Sequence, residues 1–330
     1  MVTFMQKKRG EYLVSIFFVV SILFLVYGVI FLWQQNQERG EKKVTEENGE
    51  VSHSLLNPSV TANLGKHYIV NIAPLREKLV ALQREYKEKT YIYFLYLNNG
   101  VWIGLNEKDV FKAASTLKVP LAMSVMKTVE DGLIDLDKPY TIEASEVDGR
   151  FGELYKKGVG NEYTLGNLME IMLEQSDNTA ANAVNDLLIR LGINDPLANV
   201  YTALGWQYLE PPVVNETPNY ADINLKTLTN IFLSLYNSTY LTPAHSQQIL
   251  TYLANTPFNE KIAGGVAKDI PVSHKIGISA DTGTFSDCGI VYAPNRNYVL
   301  CVGTNGMSEQ KANEFMEKLS SSVYTYVVNN

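Results

Sequence analysis

Three short segments of this chain hold residue types that can do chemistry together. In Ser115-Thr116-Leu117-Lys118 the serine and the lysine are three apart. On a helix that spacing puts them on one face, so the amine can reach the hydroxyl. A serine is a weak nucleophile until a neighbouring base takes its proton. A lysine desolvated by apolar neighbours has its pKa lowered toward the range where it can help. Ser176-Asp177-Asn178 lies between two helical patterns and offers a second hydroxyl and an amide. Lys275-Ile276-Gly277 follows Val272-Ser273-His274 on a strand pattern and offers a second amine. Glu210, directly before Pro211-Pro212 and 32 residues after Asn178, offers a carboxylate. Each feature alone is ordinary: a helix start, a capped loop, a strand lysine, a surface glutamate before a turn. They act as a site only if the fold brings them together.

The elements that would do so are readable. Residues 72–88 carry an amphipathic helix pattern. Thr90 to Leu97 is rich in β-branched and aromatic residues, Asn98-Asn99-Gly100 is a turn, and Val101 to Leu105 returns, which together predict a hairpin. The middle, about 115 to 255, is mainly helical. One helix opens at Ser115 and runs to about Asp131-Gly132. Another is capped by Thr164, with Leu165, Leu168, Met169, Met172 and Leu173 on one apolar face. A third runs from Thr179 to Leu191 and stops at Gly192. Strands return at 271–279, 284–293 and 298–303, with a turn at Pro294-Asn295-Arg296-Asn297, and a last helix covers 308–327. Strands thus come from both ends of the folded part and helices from its middle. The expected fold is α+β: one antiparallel sheet with flanking terminal helices, an all-helical lobe, and a cleft between them.

The bulk numbers narrow the function classes. The chain has 330 residues, 46% of them hydrophobic, enough for a sizeable core. A net charge of −7 gives no electrostatic support to nucleic-acid binding. The two cysteines, Cys288 and Cys301, are too few for a disulfide scaffold or a thiolate metal site; they suit two buried thiols or one cross-strand bridge. None of the four histidines shows metal-ligand spacing, so no metal and no cofactor is expected.

Tyr12 to Trp33 carries no charge. As a helix its 22 residues would span about 33 Å, at roughly 1.5 Å per residue, which matches a hydrocarbon core of about 30 Å. The first alanine of the chain is Ala62, so no small-residue cleavage site follows the apolar run. Lys7, Lys8 and Arg9 precede it, which places residues 1–11 in the cytoplasm, although Arg39, Lys42 and Lys43 follow it. The expectation is a single-pass membrane anchor at 12–33, a flexible polar stalk at 34–66, and a folded domain at 67–330 outside the membrane.

Taken in order and spacing, the motifs carry a resemblance. Ser115 to Ser176 is 61 residues and Ser115 to Lys275 is 160. Phe111-Lys112-Ala113-Ala114 leads into Ser115, and Tyr163-Thr164-Leu165 leads on to Ser176-Asp177-Asn178-Thr179-Ala180-Ala181-Asn182. Over about 67–330 the sequence resembles the class A β-lactamases and related penicillin-binding proteins, with their S-x-x-K, S-D-N and K-T-G motifs. The resemblance implies roles. Ser115 would form an acyl-enzyme, with Lys118 as base or proton relay and Ser176 passing a proton to the leaving nitrogen. Asn178 would bind the substrate's side-chain amide, Lys275 would supply positive charge near Ser176 and the substrate carboxylate, and the N–H groups of Ser115 and Ile278, beside Gly277, would form the oxyanion hole. Glu210 would activate the deacylating water. The substrate would be a small β-lactam, and the chain a monomer contributing to antibiotic resistance.

Two places depart from the family pattern. Asn215 comes one residue late after Glu210-Pro211, and Tyr208 stands where the family usually has arginine. Ile276 replaces the Thr or Ser of the third motif, which removes a hydroxyl that would bind the substrate carboxylate; Ser279, Thr282 and Thr284 are nearby replacements. A peptidase acting on peptidoglycan D-Ala-D-Ala peptides and a non-turnover envelope sensor therefore stay open. An α/β-hydrolase is disfavoured, because no G-x-S-x-G occurs.

Overall fold

The two ends of the folded part meet in one sheet. In the computed structural model, which describes residue 55, residues 71–205 and residues 222–330, β1 (Lys89–Tyr96) pairs antiparallel with β2 (Trp102–Leu105) on one side. On its other side it pairs with β9 (Tyr298–Asn305), in register from Lys89↔Asn305 to Tyr96↔Tyr298. β8 (Thr284–Val291) and β7 (Val272–Ser279) complete the order β2-β1-β9-β8-β7, every pairing antiparallel. The edge strand β7 carries Lys275-Ile276-Gly277.

The period-2 alternation of β1 explains its two buried faces. Tyr91 and Tyr93 join one apolar cluster, while Ile92, Phe94 and Tyr96 join another. The second cluster is closed by the terminal helices: Leu75, Leu79 and Leu82 of α1 (Ala73–Arg84), and Phe315, Met316, Leu319 and Val323 of α8 (Glu309–Asn329). The first is closed by the helical lobe. That lobe holds α2 (Lys118–Glu130), α3 (Leu165–Glu174), α4 (Asn178–Arg190), α5 (Pro196–Ala203), α6 (Leu225–Tyr236) and α7 (Pro243–Ala254). The five apolar residues expected on α3 are its buried residues, and Thr164 caps it by accepting a hydrogen bond from the Asn167 N–H at 3.1 Å. Each such fully buried side chain contributes about 1.5–3 kcal/mol of transfer free energy.

The sequence reading differs from the structure in detail. The helix expected from Ser115 is a 3₁₀ turn, Ala114–Leu117, followed by α2. The mainly helical middle also contains two short ladders. β3 (Phe111–Lys112) pairs with β6 (Asp222–Ile223), and β4 (Pro139–Thr141) pairs with β5 (Glu162–Thr164). Helix α5 was not expected, although Asp195-Pro196 is a cap followed by a proline suited to a first turn. Cys288 and Cys301 face each other across β8 and β9, fully buried and joined as a disulfide, so the bridge is the reading that holds.

The anchor at 12–33 and Glu210 lie outside the described residues, as does the stalk apart from Leu55. That residue is buried in the first cluster, and its N–H donates to Gln247 Oε1 at 3.0 Å. Among the described residues no helix is long and apolar enough to cross a membrane.

Candidate active site

Three elements converge at the open edge of β7. The first is the 3₁₀ turn that carries Ser115. Ala114, just before it, has φ of +49°, a left-handed conformation that costs a non-glycine residue energy and sharpens the entry into the turn. Ala113 holds the turn from behind, its carbonyl accepting from the Thr116 N–H at 3.2 Å and the Thr116 hydroxyl at 2.8 Å. α2 then runs into the core, with Val119, Ala122, Met123 and Met126 buried, and this fixes both Ser115 and Lys118.

The second element is the start of α4. Ser176 also has positive φ, +56°, and its side chain is buried. Asp177 holds this corner. One carboxylate oxygen caps α4 by accepting from the Ala180 N–H at 2.9 Å, and the other accepts from the Leu154 N–H at 2.8 Å. Asn178, the first residue of α4, donates its own N–H to the Phe151 carbonyl at 3.1 Å.

The Lys118 amine joins these two elements. Its Nζ lies 3.1 Å from Ser115 Oγ, 3.3 Å from Ser176 Oγ and 2.8 Å from Asn178 Oδ1, and it also donates to the Ser176 carbonyl. Burial pushes its pKa down to about 8, against the opposing pull of Asp177 and Asp148. At that value roughly a tenth of the amine is neutral at pH 7. It is therefore placed, and partly deprotonated, to accept a proton from either serine.

The third element is β7. Gly277 is required by close approach: a Cβ there would lie 2.5 Å from both the Ala113 carbonyl oxygen and Ser286 Oγ. The strand therefore lies directly against the serine turn. Lys275 is 1% exposed, and among the described residues its Nζ has no hydrogen-bond partner. The Phe258 ring sits 6.0 Å from that nitrogen. Desolvation, reinforced by the charge of Lys118 and opposed by Asp287, holds its pKa well below the ordinary value.

A cavity of about 720 Å³ opens between these elements. Ser115, Lys118, Ser176, Asn178, Ile276 and Ile278 all line it, and Lys275 lies on the same face of β7 as Gly277, the face that meets the serine turn. The structure thus brings together every described candidate, while Glu210 lies outside the described residues. It also adds residues that the sequence reading did not single out. Asp148, Arg150 and Phe151 form a lip of the cavity. The Arg150 guanidinium, its side chain 85% exposed, binds both oxygens of Asp148 and holds that carboxyl down to about 2. On the opposite face of β7 from Lys275, the buried His274 and Asp287 pair at 2.9 Å, and Asp287 also accepts from the Ile262 N–H at 3.1 Å. No periodicity marks the lip residues, which lie in an irregular loop. The His274–Asp287 pair follows from strand register, because His274 faces Gly289, two residues from Asp287 on β8.

A nucleophile, a partly neutral amine and a second hydroxyl, held on a helix start, a helix corner and an edge strand, define a serine hydrolase of the penicillin-recognising class. The chain belongs to the beta-lactamase enzyme family, whose model matches residues 74–327. Solved structures agree with the fold. PBP-A is similar with a TM-score of 0.69 at 22% identity, covering 81% of this chain and 100% of its own. A β-lactamase from Xanthomonas campestris pv. campestris gives 0.68 at 21%, covering 79% and 100%. An ancestral class A β-lactamase gives 0.66 at 23%, covering 76% and 99%. No curated protein sequence matches the chain.

Proposed function

We propose that this protein opens the amide bond of β-lactams through an acyl-enzyme on Ser115. The observation that carries this reading is the Lys118 amine, which touches Ser115 Oγ, Ser176 Oγ and Asn178 Oδ1 at once. In the proposed sequence, Ser115 Oγ attacks the carbonyl carbon and its proton passes to Lys118. The N–H groups of Ser115 and Ile278 hold the oxygen that becomes negative. As the carbon–nitrogen bond breaks, Ser176 donates its proton to the leaving nitrogen and is reprotonated through Lys118. Asn178 positions the amide of the substrate's side chain, and Lys275 supplies positive charge near Ser176 and the substrate carboxylate. Glu210 then takes a proton from one water as it attacks the serine ester carbonyl, and that proton returns to Ser115 Oγ as the ester bond breaks. A variant of the structurally similar PBP-A has been captured as an acyl-enzyme with penicillin G, which supports the covalent step.

Deacylation separates a hydrolase from a protein that stays acylated, because bulk water attacks a serine ester slowly. Intact mass followed over time after mixing with benzylpenicillin tests this. The unmodified protein is expected to show a transient adduct. Glu210→Gln should acylate normally and lose deacylation by about 10²–10⁴-fold, the usual contribution of a general base. A lasting adduct on the unmodified protein, unchanged by Glu210→Gln, would instead mark a penicillin-binding or sensor protein. The domain is proposed to work outside the membrane, tethered by residues 12–33.

A further inference from the structure

A second cavity, of about 710 Å³, opens at the edge of the sheet and shares no lining residue with the first. Its walls are mostly apolar. Ala254 closes it at the end of α7, Val266 and Ile270 in the loop after the 3₁₀ turn Ala263–Gly265, and Val272 on β7. Its buried titratable group is His274, which is 2% exposed. Side chains alternate along a strand, so His274 stands on the face of β7 opposite Lys275 and Gly277. Acyl transfer at Ser115 makes no use of it.

The imidazole is held from one side. Its Nδ1 lies 2.9 and 3.1 Å from the two oxygens of Asp287. A carboxylate accepts, so Nδ1 carries the proton, and in the neutral ring Nε2 is then an acceptor. Among the described residues Nε2 has no hydrogen-bond partner. A buried acceptor without a partner is costly, and an occupant of the cavity that donates to it removes that cost. The other polar side chains around the cavity are engaged or exposed. Thr256 donates to the Glu174 carbonyl at 2.8 Å, and Asn259 donates to the Pro257 carbonyl at 3.2 Å. Lys268 and Asp269 are adjacent on the rim, exposed and opposite in charge, so they offer an ion no net attraction. An anion would meet a bare Nε2 and, behind it, the Asp287 carboxylate.

We infer that this second cavity binds small neutral molecules that join an apolar body to one hydroxyl or amide N–H, which donates to His274 Nε2. The volume falls within the roughly 300–1,000 Å³ of small-molecule sites, and so does the pattern of apolar walls with one placed polar group. The site stands independently of the Ser115 chemistry, since the two cavities have no residue in common.

Phenol and anisole share a ring and differ in the donor, while benzoate carries an anion instead. Nitrogen NMR of the His274 imidazole in the histidine-labelled full chain, at matched free concentrations, reads the binding of all three. Phenol is expected to shift the Nε2 signal saturably and to bind about fivefold more tightly than anisole, the typical net effect of one neutral hydrogen bond. Ala267→Trp puts a large ring at an exposed position on the cavity wall and leaves the imidazole and Asp287 in place, so it should abolish the shift. Anisole binding as tightly as phenol would overturn the inference, because Nε2 would not be the acceptor. Benzoate binding more tightly than phenol would overturn it as well, because the site would then select anions. The absence of a saturable shift with phenol, or an equal shift in Ala267→Trp, would show that the cavity is not a binding site.

Discussion

In the proposed mechanism the chemistry turns on Lys118, and the burial of its amine sets a pH dependence. Its pKa is lowered to about 8, so the neutral amine needed to take the Ser115 proton becomes abundant only as pH rises through that value. Acylation by a β-lactam should therefore increase with pH and level off above an apparent pKa of about 8. Lys118→Met should lose about 10²–10⁴-fold in acylation rate and lose the acid limb as well. A rate–pH profile flat from pH 6 to 9 in the unmodified protein would rule out Lys118 as the proton acceptor. Ser115, Lys118, Ser176 and Asn178 were legible in the sequence because three short motifs at fixed spacing encode them. Asp148, Arg150 and Phe151 were not, since their position depends on a loop held by the Asp177 carboxylate and the Asn178 N–H, which no local pattern announces.

At the level of elements, the site depends on how closely β7 approaches the serine turn. That approach is possible only because Gly277 has no side chain. In Gly277→Ala the methyl group would meet backbone at Ala113 and the Ser286 hydroxyl, so the turn or the strand must shift by several tenths of an ångström. Misplacement on that scale is expected to cost on the order of 10²-fold in acylation, with little change in how the rest of the sheet pairs. Acylation kinetics beside a thermal melt check this: full activity in the variant would show that the turn and β7 are not in contact as described. The strands and α3 were readable because period-2 and period-3.6 patterns are local. The 3₁₀ turn at Ala114–Leu117 was not, because its cause is tertiary: Ala113 is pinned against β7 and Ala114 is forced to positive φ. The two-residue ladders β3–β6 and β4–β5 are too short to leave a periodic trace.

For the whole molecule, the α+β organisation followed from strands near both ends of the folded part and helices between them. The β1–β9 register closes that arrangement. The apolar run Tyr12 to Trp33, with Lys7, Lys8 and Arg9 before it, motivates the proposal that this domain is held on the outer face of a membrane. Protease added to intact cells should then release a soluble, active fragment beginning before residue 71. Finding the full-length chain resistant and inside the cell would refute that placement. The central claim is that one serine carries the acyl group. Peptide mapping of the protein after brief exposure to benzylpenicillin tests it most directly. The modification is predicted on the peptide containing Ser115, and no modification on Ser115→Ala at the same protein and drug concentrations. An adduct on any other residue, or one that persists in Ser115→Ala, would contradict the account.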